Sequence, residues 1–258
     1  MLLFVVCWMM FLGLIQTCDL IASEEAIADS TLSKEPSEPF INSLEMTLLG
    51  LPGTSLKISA YETRVRDYQA FVTETQRPWK KPEFKQSESH PAVMVSWEDA
   101  KAFCYWLTRK EREAGVIGQN QGYRLPTDQE WSLAVGVNEE TDPLQIEQSL
   151  VFQYPWGEAW PPPPHSGNYA PDLHVDSFAY TSPVGSFQPN ELGFYDMGGN
   201  VWEWCEDVYN QSADFRVLRG GSWRMRLPND LLSTNRIGNR PDLKLSVYGF
   251  RVVLVSGS

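Results

Sequence analysis

Between Tyr154 and Asn200 the chain denies itself most regular structure. Pro155, the run Pro161–Pro164 and many Gly, Asn and Asp residues leave few amides able to join a hydrogen-bonded ladder. A segment of this length needs something other than helix or strand bonding to hold it, and the rest of the chain has to supply a scaffold around it. The flanking segments carry ordinary signals. Strand-like runs occur at Met46–Leu51 and Leu56–Ala60, and again at Val217–Leu218 and Gly249–Val255. Thr63 is placed to cap a helix whose Val65, Tyr68, Phe71 and Val72 share a side. Ser96-Trp97-Glu98-Asp99 opens a second helix, because an acid three residues after a hydroxyl satisfies the first-turn amides reciprocally. Its Ala100, Phe103, Cys104 and Leu107 form one apolar face, and Gly115 is the expected stop. Thr127-Asp128-Gln129-Glu130 repeats the capping logic for a third, short helix burying Trp131 and Ala134. The pattern predicts a mixed α+β fold with an irregular second half, in one domain without internal repeats.

Composition excludes several function classes. The 258 residues carry a formal charge of −12, so there is no basic surplus to neutralise phosphates or to adsorb to an anionic membrane. Three separated histidines (His90, His165, His174) offer little to a multi-histidine metal site. Met1 to Ile15 is an apolar run, shorter than the about 20 residues a membrane span needs. With Ala26-Ile27-Ala28 as a small-residue cleavage site, it reads as a secretory leader, although no Lys or Arg precedes it. The expected organisation is a signal peptide at 1–28, a Ser/Glu/Pro-rich flexible lead-in at 29–45 and one domain at 46–258. Export to the periplasm, cell surface or medium follows, with no integral span in the mature chain; the alternative is a lipid anchor through Cys18. Cleavage leaves Cys104 and Cys205, which form either one disulfide or two buried thiols.

Six motifs in register resemble the sulfatase-modifying-factor family, whose best-known member is formylglycine-generating enzyme. They are His90-Pro91 through Val95-Ser96-Trp97, Tyr123 through Trp131, Tyr154-Pro155-Trp156-Gly157, Gly193 through Trp204, Arg219-Gly220-Gly221-Ser222-Trp223 and Gly249-Phe250-Arg251. The resemblance spans about residues 55–255 and implies a variant of the C-type-lectin-like fold with a shallow cleft. It implies two structural calcium sites. One would use Asn168, the Tyr169 carbonyl, Asp176 and the Phe178 carbonyl; the other Asp196, the Gly199 and Val201 carbonyls, and Glu203. Independently, carboxylates interleaved with glycines that turn carbonyls inward are the oxygen-rich mixture that calcium takes. The family cleft corresponds to Trp202, Ser222, Trp223 and Arg236, with Asn239, Pro241, Asp242 and Arg251 also retained. The resemblance further implies that Cys104 faces Val252 and so is a buried free thiol.

The chain departs from the enzyme at the thiols. The family's copper-binding cysteines lie three and eight positions after the serine of the GGS motif, and Met225 and Asp230 stand there. Neither forms the thiolate that holds Cu(I) and exchanges with a substrate thiol. No copper is expected. The functional reading is therefore a binding or accessory module for a peptide, glycan or exported protein, with a protein-modifying oxidoreductase as the alternative.

Overall fold

The computed structural model describes residues 38–137, 153–210 and 214–257. The expected signal peptide, Cys18 and the first part of the lead-in lie outside the described residues. Residues 38–45, the rest of that lead-in, contain strand β1 (Phe40–Ile41) and a turn in which the Asn42 side chain accepts the Leu44 and Met46 amides.

A five-stranded antiparallel sheet has the order β1-β2-β3-β9-β4, built from β2 (Thr47–Gly50), β3 (Lys57–Ser59), β4 (Gln121–Arg124) and the C-terminal β9 (Val253–Ser256). The last strand thus lies between β3 and β4, pairing Ile58 with Val253 on one side and Tyr123 with Leu254 on the other. A second sheet has the order β7-β6-β5-β8, from β5 (Trp202–Val208), β6 (Arg216–Arg219), β7 (Arg236–Asn239) and β8 (Tyr248–Gly249). Among the described residues there are three α-helices: α1 (Val65–Thr75) packs on α2 (Trp97–Glu113), while α2 and α3 (Asp128–Val135) pack against the sheets.

The helix starts show how local chemistry sets the boundaries. At α2 the Ser96 hydroxyl accepts the Asp99 amide at 3.1 Å while the Asp99 carboxylate accepts the Ser96 amide at 3.2 Å. Thr127 and Glu130 do the same for α3 at 3.1 and 2.8 Å. The start of α1 differs from the expectation. Its cap residue is Arg64, not Thr63, because Asp67 reaches back to accept both the Arg64 amide (2.9 Å) and its guanidinium (2.8 Å). Of the apolar faces read from the sequence, Tyr68, Phe71 and Val72 of α1 and Ala100, Phe103, Cys104 and Leu107 of α2 are buried, while Val65 at the start of α1 is half-buried. Tyr68, Phe71, Phe103, Trp106 and Phe250 meet there ring to ring at centroid separations of 5.3 to 6.1 Å.

From Tyr154 to Asn200 regular bonding is indeed sparse, limited to a Tyr154–Gly157 bridge and one 3-10 turn at Pro171–Leu173. Side chains replace the ladders. Asp176 accepts the Tyr169 and Phe178 amides, Asn190 those of Leu192 and Phe194, Asp196 that of Gly185, and Asn200 that of Ser182.

Candidate functional site

The expected cleft is built around β5 and the turn after β6. β5 runs antiparallel to β6, with Glu203 opposite Arg219, and parallel to β8, with Trp202 opposite Tyr248. Gly220 and Gly221 follow β6 with φ of +93° and +78°, a left-handed pair that only glycine tolerates cheaply, and this turns Ser222 inward. Ser222 and Trp202 are buried, whereas Trp223 is half-exposed. The Trp223 amide donates to the Asn200 carbonyl and its indole N–H to the Ser246 carbonyl at 3.3 Å. Arg236 is held elsewhere, by Asp128 at 2.9 Å and over the Tyr209 ring. Of the four residues expected to line the cleft, Ser222 and Trp223 are adjacent, Trp202 is buried on β5 with its amide on the Val247 carbonyl, and Arg236 belongs to the ion-pair corner at the start of α3.

The two oxygen-rich constellations differ in chemistry. In the first, Asn168 is fully buried; its amide N–H groups donate to the Tyr180 carbonyl (2.8 Å) and Asn200 (3.2 Å), while its Oδ1 has no hydrogen-bond partner. Asp176 caps the Tyr169 and Phe178 amides at 3.1 and 2.7 Å, the residues whose carbonyls the resemblance assigns as ligands. In the second, Glu203 is fully buried and bound by Arg251 through two bonds of 2.6 Å, with a third from the Trp131 indole at 3.1 Å. Asp196 gives one oxygen to the Gly185 amide at 2.7 Å and keeps the other buried and unpartnered.

Sequence reasoning missed Glu62. It is fully buried beside Asp196 and Glu203, and apart from the neighbouring Asp196 carboxyl its oxygens meet no other side chain's donor. Burial first, then repulsion from Asp196 and Glu203, holds its carboxyl well above the ordinary range. Burial likewise pushes Asp196 up to about 6. Lying between a strand signal and a helix start, Glu62 looks in sequence like one more capping acid. Among the described residues no three His, Cys, Asp or Glu side chains converge as metal ligands, so a cation at either place would draw on carbonyl oxygens too. The orphaned oxygens of Asn168, Asp196 and Glu62 are hard donors and fit calcium in chemical type.

The thiols are inert in this environment. Cys104 and Cys205 are both free and buried. Burial pushes the Cys104 thiol up to about 12 and raises Cys205 well above its ordinary value, so neither is a thiolate near neutrality. Met225 is half-buried and packs against the core, and Asp230 sits in a 3-10 turn at Pro228–Leu231.

A family model described as the sulfatase-modifying factor enzyme 1-like domain matches residues 51–255. The chain belongs to this family. An inactive C-alpha-formylglycine-generating enzyme 2 from Bos taurus is 33% identical over 201 residues, covering 69% of this chain and 56% of its own length. A formylglycine-generating enzyme from Thermomonospora curvata is 31% identical over 205 residues, covering 67% and 60% respectively. The chain thus spans little more than half the length of these curated relatives. The structure of PvdO from Pseudomonas aeruginosa superposes with a TM-score of 0.67 at 21% identity, over 86% of this chain and 99% of that one. The fold is the C-type-lectin-like variant of the formylglycine-generating-enzyme type, α+β with short sheets and few helices. Within that family this member retains the RGGSW and GFR motifs and carries Met225 and Asp230 three and eight positions after Ser222.

Proposed function

We propose that this chain is an exported, non-catalytic binding or accessory member of the sulfatase-modifying-factor family. It would recognise a peptide, glycan or exported protein through the face around Trp223. The observation that carries this reading is the replacement of both copper positions by Met225 and Asp230, while Cys104 and Cys205 are buried with raised pKa. A relative whose name calls it inactive, at 33% identity, supports the same reading. The alternative, a protein-modifying oxidoreductase, would have to act without an accessible thiolate among the described residues. Incubating the purified protein with a cysteine-containing sulfatase-type peptide, Cu(I) and oxygen tests the choice. No aldehyde above the no-protein control is expected; aldehyde formation by mass spectrometry would overturn the non-catalytic reading.

Two structural calcium ions belong to the same proposal. Asn168 and Asp176 with the Tyr169 and Phe178 carbonyls would hold one, and Asp196 and Glu203 with the Gly199 and Val201 carbonyls the other. The unpartnered Oδ1 atoms of Asn168 and Asp196 support it. Export rests on Met1–Ile15 and the Ala26-Ile27-Ala28 site, with a lipid anchor through Cys18 as the alternative. No helix among the described residues is long and apolar enough to cross a membrane. An N-terminus at or near Asp29 on the exported protein, read by terminal sequencing, is the expected result.

A further inference from the structure

Next to Trp223 lies a cavity of about 420 Å³, bounded by the Lys80–Phe84 loop, Tyr180 and the Lys244–Ser246 segment. That volume is in the range of small-ligand sites. Its chemistry contrasts with the rest of the molecule. In a chain of formal charge −12, three lysines line it (Lys80, Lys81, Lys244) against one acid, Glu83.

One wall is aromatic and rigid. Phe84 and Tyr180 stack at 4.4 Å with an 8° interplanar angle, and Trp223 meets both edge-on at 5.8 and 5.2 Å. The Trp223 indole is fixed by its bond to the Ser246 carbonyl. Tyr180 is nevertheless 46% exposed, which leaves ring surface open to a second stacking partner.

The lysines are not cancelled by local acids. Lys244 contacts Asp99 at 2.5 Å, but Arg77 contacts the same carboxylate at 2.7 Å, so that corner keeps a surplus positive charge. Lys81 lies over the Trp79 ring and bonds the neutral Gln69 side chain at 3.1 Å. Burial lowers the Lys81 pKa, so its charged form gains from a nearby anion. Surface lysines of an acidic protein are usually interspersed with acids; here they gather beside the exposed aromatic wall.

Going beyond the binding reading above, we propose that this cavity takes a small organic anion with a flat apolar body, an aryl sulfonate, sulfate or carboxylate in class. The ring lies on the aromatic wall and the anionic group among Lys80, Lys81 and Lys244. Charge gives the site its selectivity, and the ring surface supplies the apolar contact.

Calorimetric titration of the whole protein with 2-naphthalenesulfonate, against neutral 2-naphthol, tests the assignment. The sulfonate is expected to bind at least about tenfold more tightly than the naphthol, a difference of about 1.4 kcal/mol. Added salt should weaken only the sulfonate. The K80E/K81E pair should abolish the preference, and K80Q/K81Q should reduce it if charge reversal harms folding. Y180A should weaken both ligands, whereas R109E on α2 should change neither. Equal affinity for the two ligands, or an unchanged sulfonate affinity in the folded lysine variants, overturns the proposal. These readouts are independent of the aldehyde assay: aldehyde formation would remove the non-catalytic reading and leave the sulfonate preference standing, and the reverse failure would leave the non-catalytic reading standing.

Discussion

Replacing Arg251 by methionine isolates one fully buried ion pair. Arg251 and Glu203 are both fully buried, and the guanidinium makes two 2.6 Å bonds to the carboxylate. It also donates to the carbonyls of Ser59 (3.2 Å), Ala60 (3.4 Å) and Tyr195 (2.9 Å), tying β3 and the irregular segment to the link between β8 and β9. The methionine side chain is similar in length and leaves Glu203 with only the Trp131 indole, beside two further buried acids, Glu62 and Asp196. Removing one partner of a buried pair costs about 3–5 kcal/mol, because the remaining charge is uncompensated. A domain holds only about 5–15 kcal/mol in total. For a domain of this size the melting temperature should fall by roughly 6–20 °C. Urea unfolding in the presence of chelator, so that cation binding does not enter, measures the loss directly. The double variant R251M/E203L should recover more than half of it, since an apolar pair of similar volume is often as stable as the ion pair it replaces. A single-variant loss below about 1 kcal/mol, well under that range, would refute the reasoning. So would a double variant no more stable than R251M.

Chelation should lower the melting temperature and open residues 154–204 to protease before the N-terminal helices. Asp176→Asn should weaken one cation site and Glu203→Gln the other, read by calcium content after purification; an unchanged melting curve with no calcium carried through would leave Asp176 as a turn cap and Glu203 as the partner of Arg251. Gly199→Ala should destabilise by about 2 kcal/mol or more in denaturant unfolding, because Gly199 has φ of +90° and a Cβ there would collide with the Asn168 carbonyl. In acid, Asp99 and Glu130 set a pH dependence. Burial pushes both carboxyls up, but Lys244, the Ser96 amide and Arg77 outweigh it at Asp99, and Arg124 with the Thr127 amide at Glu130, so both end below the ordinary range. Their stabilisation is complete above the unfolded carboxylate pKa and is lost as pH falls through the lower folded values, so unfolding titrations should show stability decreasing below about pH 4. Asp99→Asn should flatten part of that slope. Finally, peptide mapping after thiol alkylation should find Cys104 and Cys205 unmodified in the native protein and both modified in guanidinium; labelling of either in the native state would contradict their burial.

How much could be read from the sequence depended on how locally each feature is encoded. The starts of α2 and α3 were legible because Ser96/Asp99 and Thr127/Glu130 satisfy each other within four residues. The start of α1 moved by one position because Asp67 answers to Arg64, and nothing in the spacing favoured that over a Thr63 cap. β5 was hidden: Glu203, Cys205, Glu206 and Asp207 do not alternate as a half-buried strand should, since Glu203 points into an ion pair rather than to water. The irregular character of 154–200 was plain from its prolines and glycines, as was its need for side-chain support. Which side chains provide that support was partly visible in Asp176 and Asp196. Arg236 illustrates what stays hidden: its place is set by Asp128 on a distant helix, and only the assembled sheet brings the two together. Glu62 owes its role to burial alone, which no local pattern announces.

The position of β9 has a consequence in time. During synthesis β3 and β4 are made long before the strand that joins them, Val253–Ser256. Until then each has an open edge with unsatisfied backbone groups, a template for pairing with another chain. The first sheet therefore cannot close progressively from its earlier strands and waits until Val253–Ser256 has been made. A chain cut short before Val253 would carry both neighbours of β9 without the strand that joins them.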